Sequence, residues 1–119
     1  MWKLKQTLLE DLFEASNKYY PDEFMCFLSG NKKTKTIEEI VFLPNNSGNN
    51  FASIWEGVIP LDDTILGSVH SHPTGRASPS SADKHFFLKY ELNLIISLSE
   101  NKIGFFDNTG KQIDVEILW

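Results

Sequence analysis

Apolar residues at Leu8, Leu9, Leu12 and Phe13, continued by Ser16 and Tyr19 or Tyr20, recur every three to four positions and predict an amphipathic helix from about Gln6 to Tyr20. A short strand near Trp2 to Leu4 precedes it. Pro21-Asp22 ends it, because proline offers no backbone N–H to continue the ladder. Phe24 to Leu28 is a short apolar run that reads as a buried strand closed by Ser29-Gly30-Asn31. Thr36 to Leu43 is a second strand, stopped by Pro44 and the polar loop Asn45 to Asn50, which is expected to be exposed and mobile. Ala52 to Trp55 gives another strand, Pro60 to Asp63 a turn, and Ile65 to His70 a further strand. Beyond the loop Pro73 to Pro79, Ser80 can cap a helix running to about Tyr90. Asn93 to Leu98, Ile103 to Asp107 and Gln112 to Ile117 complete the pattern as strands, the last two joined as a hairpin across Asn108-Thr109-Gly110. This alternation predicts an α/β (α+β) chain with mainly local connections, one twisted mixed sheet flanked by helices.

The run from Val69 to Asp83, V-H-S-H-P-T-G-R-A-S-P-S-S-A-D, changes the picture from fold to chemistry. On a strand, His70 and His72 share a face because side chains alternate with period two. Asp83, following Ser80 at a helix start, can bring a hard oxygen ligand to the same place. Three protein ligands leave a fourth tetrahedral position for water, the pattern of catalytic and not structural zinc. Two histidines alone read equally well as polar residues on the solvent face of an edge strand. The apolar approach to them, Pro73 directly after, and the carboxylate at a helix start favour the metal.

Ser80 and Asp83 also form an S-x-x-D capping pattern, in which the serine accepts a backbone N–H and the aspartate favours the helix N-terminus. The serine hydroxyl can instead face a substrate oxygen. A hydrolytic site further needs a proton carrier that is not a ligand. Glu23, Glu38, Glu39, Glu56 and Glu91 all qualify by type, and spacing alone does not choose among them. Glu23 is favoured modestly because a charge at the entry to an apolar strand is out of place unless it is used, though it reads equally as an exposed loop carboxylate beside Asp22. Arg76, the only arginine, is a solvated loop cation or a contact for a substrate carboxylate or carbonyl.

Composition excludes several other classes. A length of 119 residues, 41% hydrophobic with nine Phe and three Trp, suits one domain spanning 1–119 with one core. Net charge of −5 offers no basic stripe for nucleic acid. Cys26 is the only cysteine, so neither an internal disulfide nor a thiolate zinc cluster is expected, and a buried core thiol is favoured over a nucleophile paired with His85. With no apolar stretch near the roughly 20 residues of a membrane span and no continuous apolar segment after Met1, a soluble cytoplasmic protein is the expectation.

The string His70-Ser71-His72-Pro73, then Pro79-Ser80 and Asp83, with the upstream Pro21-Asp22-Glu23-Phe24 before an apolar strand, resembles the JAMM or MPN+ metalloprotease family, and its compact archaeal members in particular. The resemblance covers essentially the whole chain. It implies a single MPN-type domain with a cytidine-deaminase-like three-layer arrangement. It also implies a zinc-dependent isopeptidase that removes ubiquitin-like small modifiers from lysine side chains, with the modifier and its conjugates as partners. Carried onto this chain, His70, His72 and Asp83 match the Zn²⁺ ligands, Glu23 the general acid/base, and Ser80 the residue that steadies the oxyanion. Cys26 stands where the family usually has a small residue. Related domains similar to this one trim the C-terminus of ubiquitin-like sulfur carriers, and others serve as non-catalytic MPN scaffolds, which typically lack the ligands retained here.

Overall fold

A computed structural model describes residues 1–42, 64–79 and 89–119. The described elements are β1 (Trp2–Lys5), α1 (Gln6–Tyr19), β2 (Met25–Asn31), β3 (Thr36–Val41), β4 (Ile65–His72), β5 (Leu92–Ser97), β6 (Lys102–Phe106) and β7 (Val115–Leu118). The strands form one mixed sheet in the order β6-β5-β4-β2-β3-β1-β7. The expected strand at Ala52 to Trp55, the loop Asn45 to Asn50 and the helix after Ser80 lie outside the described residues.

Helix α1 forms where the periodicity predicts it and buries Leu8, Leu9 and Leu12. These pack with Leu4, Phe24, Cys26, Leu28, Val69, Leu92, Leu94 and Ile96 into the main core. Each such side chain contributes about 1.5–3 kcal/mol of burial, and among the described residues this is the largest apolar cluster. Ser16, fully buried on the same helix, donates its hydroxyl to the Leu12 carbonyl at 2.8 Å, which removes the cost of placing a polar group there.

Strands β4 and β5 are parallel neighbours, with Gly67 opposite Leu92 and His72 opposite Ser97, while β2 runs antiparallel to β4 with Met25 opposite His70. The adjacent strands β2, β4 and β5 therefore align Met25, His70 and Ile95 across one face. Val69 and Cys26, a residue away, face α1.

Two expectations are corrected. Ser29-Gly30-Asn31 does not close β2 but belongs to it, because a register shift between Ser29 and Gly30 absorbs the irregularity and lets pairing with β3 run on to Asn31–Thr36. The turn at Asn108 to Gly110 exists, with a bridge between Phe106 and Gln112, but β7 does not continue as the partner of β6. Instead β7 crosses to the far edge and pairs parallel with β1, where Val115 and Ile117 meet the main core. Asp107 holds the turn by accepting from the Thr109 N–H, the Thr109 hydroxyl and the Lys111 N–H. Those bonds keep its carboxyl below the usual aspartate range. Among the described residues no helix is long and apolar enough to cross a membrane.

Candidate metal centre

Strand β4 extends to His72, two residues past the predicted end, so both histidines are strand residues and alternate with Ser71 between them. His70 is buried, 7% exposed, and His72 is half-buried at the strand's end. The ring of His72 is oriented by its own loop: Nδ1 lies 3.0 Å from the carbonyl oxygen of Arg76. A carbonyl can only accept, so Nδ1 carries the proton; in the neutral ring this leaves the lone pair on Nε2, the form that ligates a metal through that nitrogen. An imidazole pair with this tautomer at its outer member suits zinc or another borderline divalent ion.

The loop from Pro73 to Pro79 is tied to the β5–β6 end of the sheet. Gly75 has φ of +100°, a left-handed conformation that glycine adopts without penalty. Its carbonyl accepts from the Ser97 hydroxyl at 2.6 Å and the Ser99 hydroxyl at 3.0 Å. The Ala77 N–H donates to the Glu100 carboxylate at 3.0 Å, and the Ser97 oxygen accepts the Glu100 N–H at 3.1 Å. Beneath the loop, Gly104 leaves room for close approach: a Cβ there would stand 2.6 Å from the Ala77 carbonyl oxygen.

Ser71, on the opposite face from the histidines, joins β4 to the start of β2. Its hydroxyl accepts the Phe24 N–H at 2.6 Å, and its own N–H donates to the Phe24 carbonyl at 2.8 Å. The first of these bonds is made by the peptide that links Glu23 to Phe24. Glu23 is thereby fixed at the same end of the sheet as His72. Glu91, by contrast, immediately precedes β5 at the other end, about 20 Å of strand from the position opposite His72. Glu38 and Glu39 are exposed on β3, one strand removed from β4 beyond β2. The fold thus brings Glu23, His70 and His72 to one end of the sheet and sends Glu91 to the other. Asp83, Ser80, Glu56 and His85 lie outside the described residues, and among the described residues no group of three or more His, Cys, Asp or Glu side chains could by itself hold a metal ion.

Cys26 is fully buried against α1, opposite Val69 and on the other face from His70, and burial pushes its thiol far above the ordinary range. This is an inert core thiol. The Arg76 side chain is exposed, and it is the backbone carbonyl of this residue that meets the histidine. Sequence reasoning missed Ser71, Ser97 and Glu100. For Ser71 and Ser97 a signal was available, since a serine inside a buried strand requires a hydrogen-bond partner.

Comparison with known proteins places this geometry in a family. The model of prokaryotic homologues of the JAB domain matches residues 5–108. Over 121 aligned residues, 92% of this chain and 75% of the relative, the sequence is 26% identical to a protein of Haloferax volcanii named a probable metalloprotease. A JAB1/MPN domain protein from Archaeoglobus fulgidus superposes with a TM-score of 0.76 at 28% identity, covering 98% of this chain and 99% of that one. A structure described as JAMM, a metalloprotease-like zinc site in the proteasome and signalosome, superposes at 0.73 with 25% identity over 100% of this chain and 99% of that one. A Desulfitobacterium hafniense protein, at 0.68 and 22% identity over 99% and 93%, shares the fold. With a mixed sheet that carries an H-x-H pair at the end of the interior strand β4, the chain belongs to the prokaryotic JAB-domain family as a compact JAMM/MPN protein.

Proposed function

We propose that this protein is a zinc-dependent hydrolase of peptide bonds, a single catalytic domain over residues 1–119 that releases a ubiquitin-like modifier from a lysine side chain. The observation that carries the reading is the held ring of His72, its Nδ1–H bonded to the Arg76 carbonyl, two positions from buried His70 and beside the anchored peptide of Glu23. His70 and His72 supply two neutral imidazole ligands, and Asp83, from its spacing after them, the third. A zinc ion so held supplies Lewis acidity toward water and the scissile carbonyl at neutral pH.

The protein's own groups carry the protons. The Glu23 carboxylate takes a proton from the attacking water as its oxygen adds to the carbonyl carbon. It returns that proton to the lysine Nζ as the C–N bond breaks, leaving a C-terminal carboxylate and a free amine. Ser80 donates its hydroxyl to the oxygen that gains charge, an interaction worth about 2.7–4 kcal/mol in comparable sites. An extended modifier tail is the substrate shape that fits a site at the end of a strand, where sheet-edge pairing can hold it.

The test is cleavage of a small modifier joined to lysine through an isopeptide bond, beside the same modifier with a linear C-terminal extension. Chelator-sensitive release of lysine from the first is the expected result. Cleavage of the linear form alone would replace the isopeptidase with a trimming peptidase of sulfur-carrier type. Absence of zinc from the purified protein, with no gain in melting temperature on adding it, would point to a scaffold.

A further inference from the structure

The peptide between Arg76 and Ala77 is bonded at both ends to ionisable side chains. Its carbonyl accepts the Nδ1–H of His72 at 3.0 Å, and its N–H donates to Oε1 of Glu100 at 3.0 Å. The sequence of groups is a carboxylate, a peptide and an imidazole, joined by hydrogen bonds all pointing the same way. Metal-bound histidines commonly donate their second nitrogen directly to a carboxylate, which fixes the tautomer and raises the basicity of the coordinating nitrogen. Here a peptide is inserted between the two. A negative charge at the N–H end polarises an amide so that its oxygen becomes a better acceptor.

We propose that Glu100 is a positioning residue for the metal centre, holding the His72 proton on Nδ1 through the Arg76–Ala77 peptide. The inference rests on the reading of His72 as a ligand. Three features of the neighbourhood serve this arrangement. Glu100 is itself placed by its own N–H, donated to the Ser97 oxygen at 3.1 Å, so the carboxylate starts from a fixed backbone. The preceding peptide is pinned by the Ser97 and Ser99 hydroxyls on the Gly75 carbonyl, so the bond from the Ala77 N–H to Glu100 is what keeps the Arg76 carbonyl from rotating away from the ring. Ser97 stands opposite His72 in the β4–β5 register, which ties the ring and the support for its loop to one rung of the sheet.

Glu100 is exposed, and water screens its charge, so the effect belongs at the lower end of the roughly 10–100-fold range typical of outer partners of metal ligands. Glutamine at this position keeps an acceptor for the Ala77 N–H but not the charge. Alanine loses both.

The experiment is a comparison of the full chain with Glu100→Ala and Glu100→Gln by three readouts: melting temperature, zinc affinity by chelator competition, and the tautomer of His72 in the metal-free protein from nitrogen-15 NMR of the ring. Wild type is expected to show the Nδ1–H form. Glu100→Ala should shift His72 toward the Nε2–H form and weaken zinc about tenfold, with Glu100→Gln between it and wild type. Should the alanine protein fold poorly, the glutamine protein carries the comparison, through a smaller loss of affinity at an unchanged melting temperature. Wild-type tautomer and wild-type affinity in a folded Glu100→Ala protein would overturn the proposal, as would a glutamine protein weaker than the alanine one. Zinc affinity unchanged in His72→Ala would overturn the ligand reading instead. The tautomer in the metal-free protein is read independently of that result.

Discussion

The two faces of the central strands differ in what they bury. Toward α1, β5 presents Leu92, Leu94 and Ile96, and β4 presents Val69, all closed into one core with the helix. On the other face the same strands carry Asn93 and Ser97 on β5, flanking buried Ile95, and Ser68, His70 and His72 on β4. Several polar groups there have specific bonds: Ser68 donates its hydroxyl to the Asn93 amide oxygen, Asn93 donates to the Tyr90 carbonyl at 2.8 Å, and Ser97 donates to the Gly75 carbonyl. Apolar burial is non-directional and tolerates repacking, whereas a buried hydrogen bond has one geometry. The helix face supplies cohesion, and the opposite face supplies fixed directions, which a site for a metal and a substrate needs.

The largest expected effect falls on the second face. Replacing Glu23 with Gln should leave zinc content and melting temperature near wild type while lowering kcat about 10²–10⁴-fold, the usual contribution of a general acid/base. Retained turnover in that variant would remove Glu23 from the mechanism. On the first face, Leu12→Ala, at a fully buried position, should cost about 2–5 kcal/mol of stability in denaturant unfolding. It should leave zinc affinity unchanged below the transition, and a coupled loss of affinity would show that the faces are not separable.

Ser71 joins the two. Ser71→Ala leaves the Phe24 N–H without its hydroxyl acceptor in a buried setting, at a cost of about 1–3 kcal/mol. It should also loosen Glu23 and lower kcat more than KM, and an effect confined to stability would limit Ser71 to a structural role.

The smallest effect belongs to the turn after β6, at the end of the sheet away from His72. Folding holds the Asp107 carboxyl below its ordinary pKa through the bonds from Thr109 and Lys111. The stabilisation is therefore complete above the unfolded-state value and lost as pH falls through the folded one. Asp107→Asn should flatten the acid limb of the melting temperature against pH slightly, and an unchanged limb would show that the turn does not couple to folding.

What could be read in advance divides along the same line. Helix α1 was legible because its apolar face is local and periodic. So were His70 and His72, because alternation on a strand needs no knowledge of partners. The destination of β7 was hidden: a chain that turns at Asn108 to Gly110 looks like a hairpin, and only the open place beside β1 decides that Val115 to Leu118 go there. The support of His72 was hidden for a related reason. It uses the backbone of Arg76, and a carbonyl carries no signature in the sequence. Glu100 was equally silent, since an exposed glutamate after a strand has the composition of any turn. Glu23 stood between these cases, one of several candidates by residue type, and its nearness to the histidines follows from the long-range pairing of Phe24 with Ser71.

The central claim is that the end of β4 is a metal centre built on His70 and His72. Zinc titration of the metal-free protein, followed by calorimetry beside the His70→Ala/His72→Ala double variant, tests it most directly. One ion per chain, bound by wild type and lost in a folded double variant, is the predicted result. Equal zinc binding by the two proteins would contradict it.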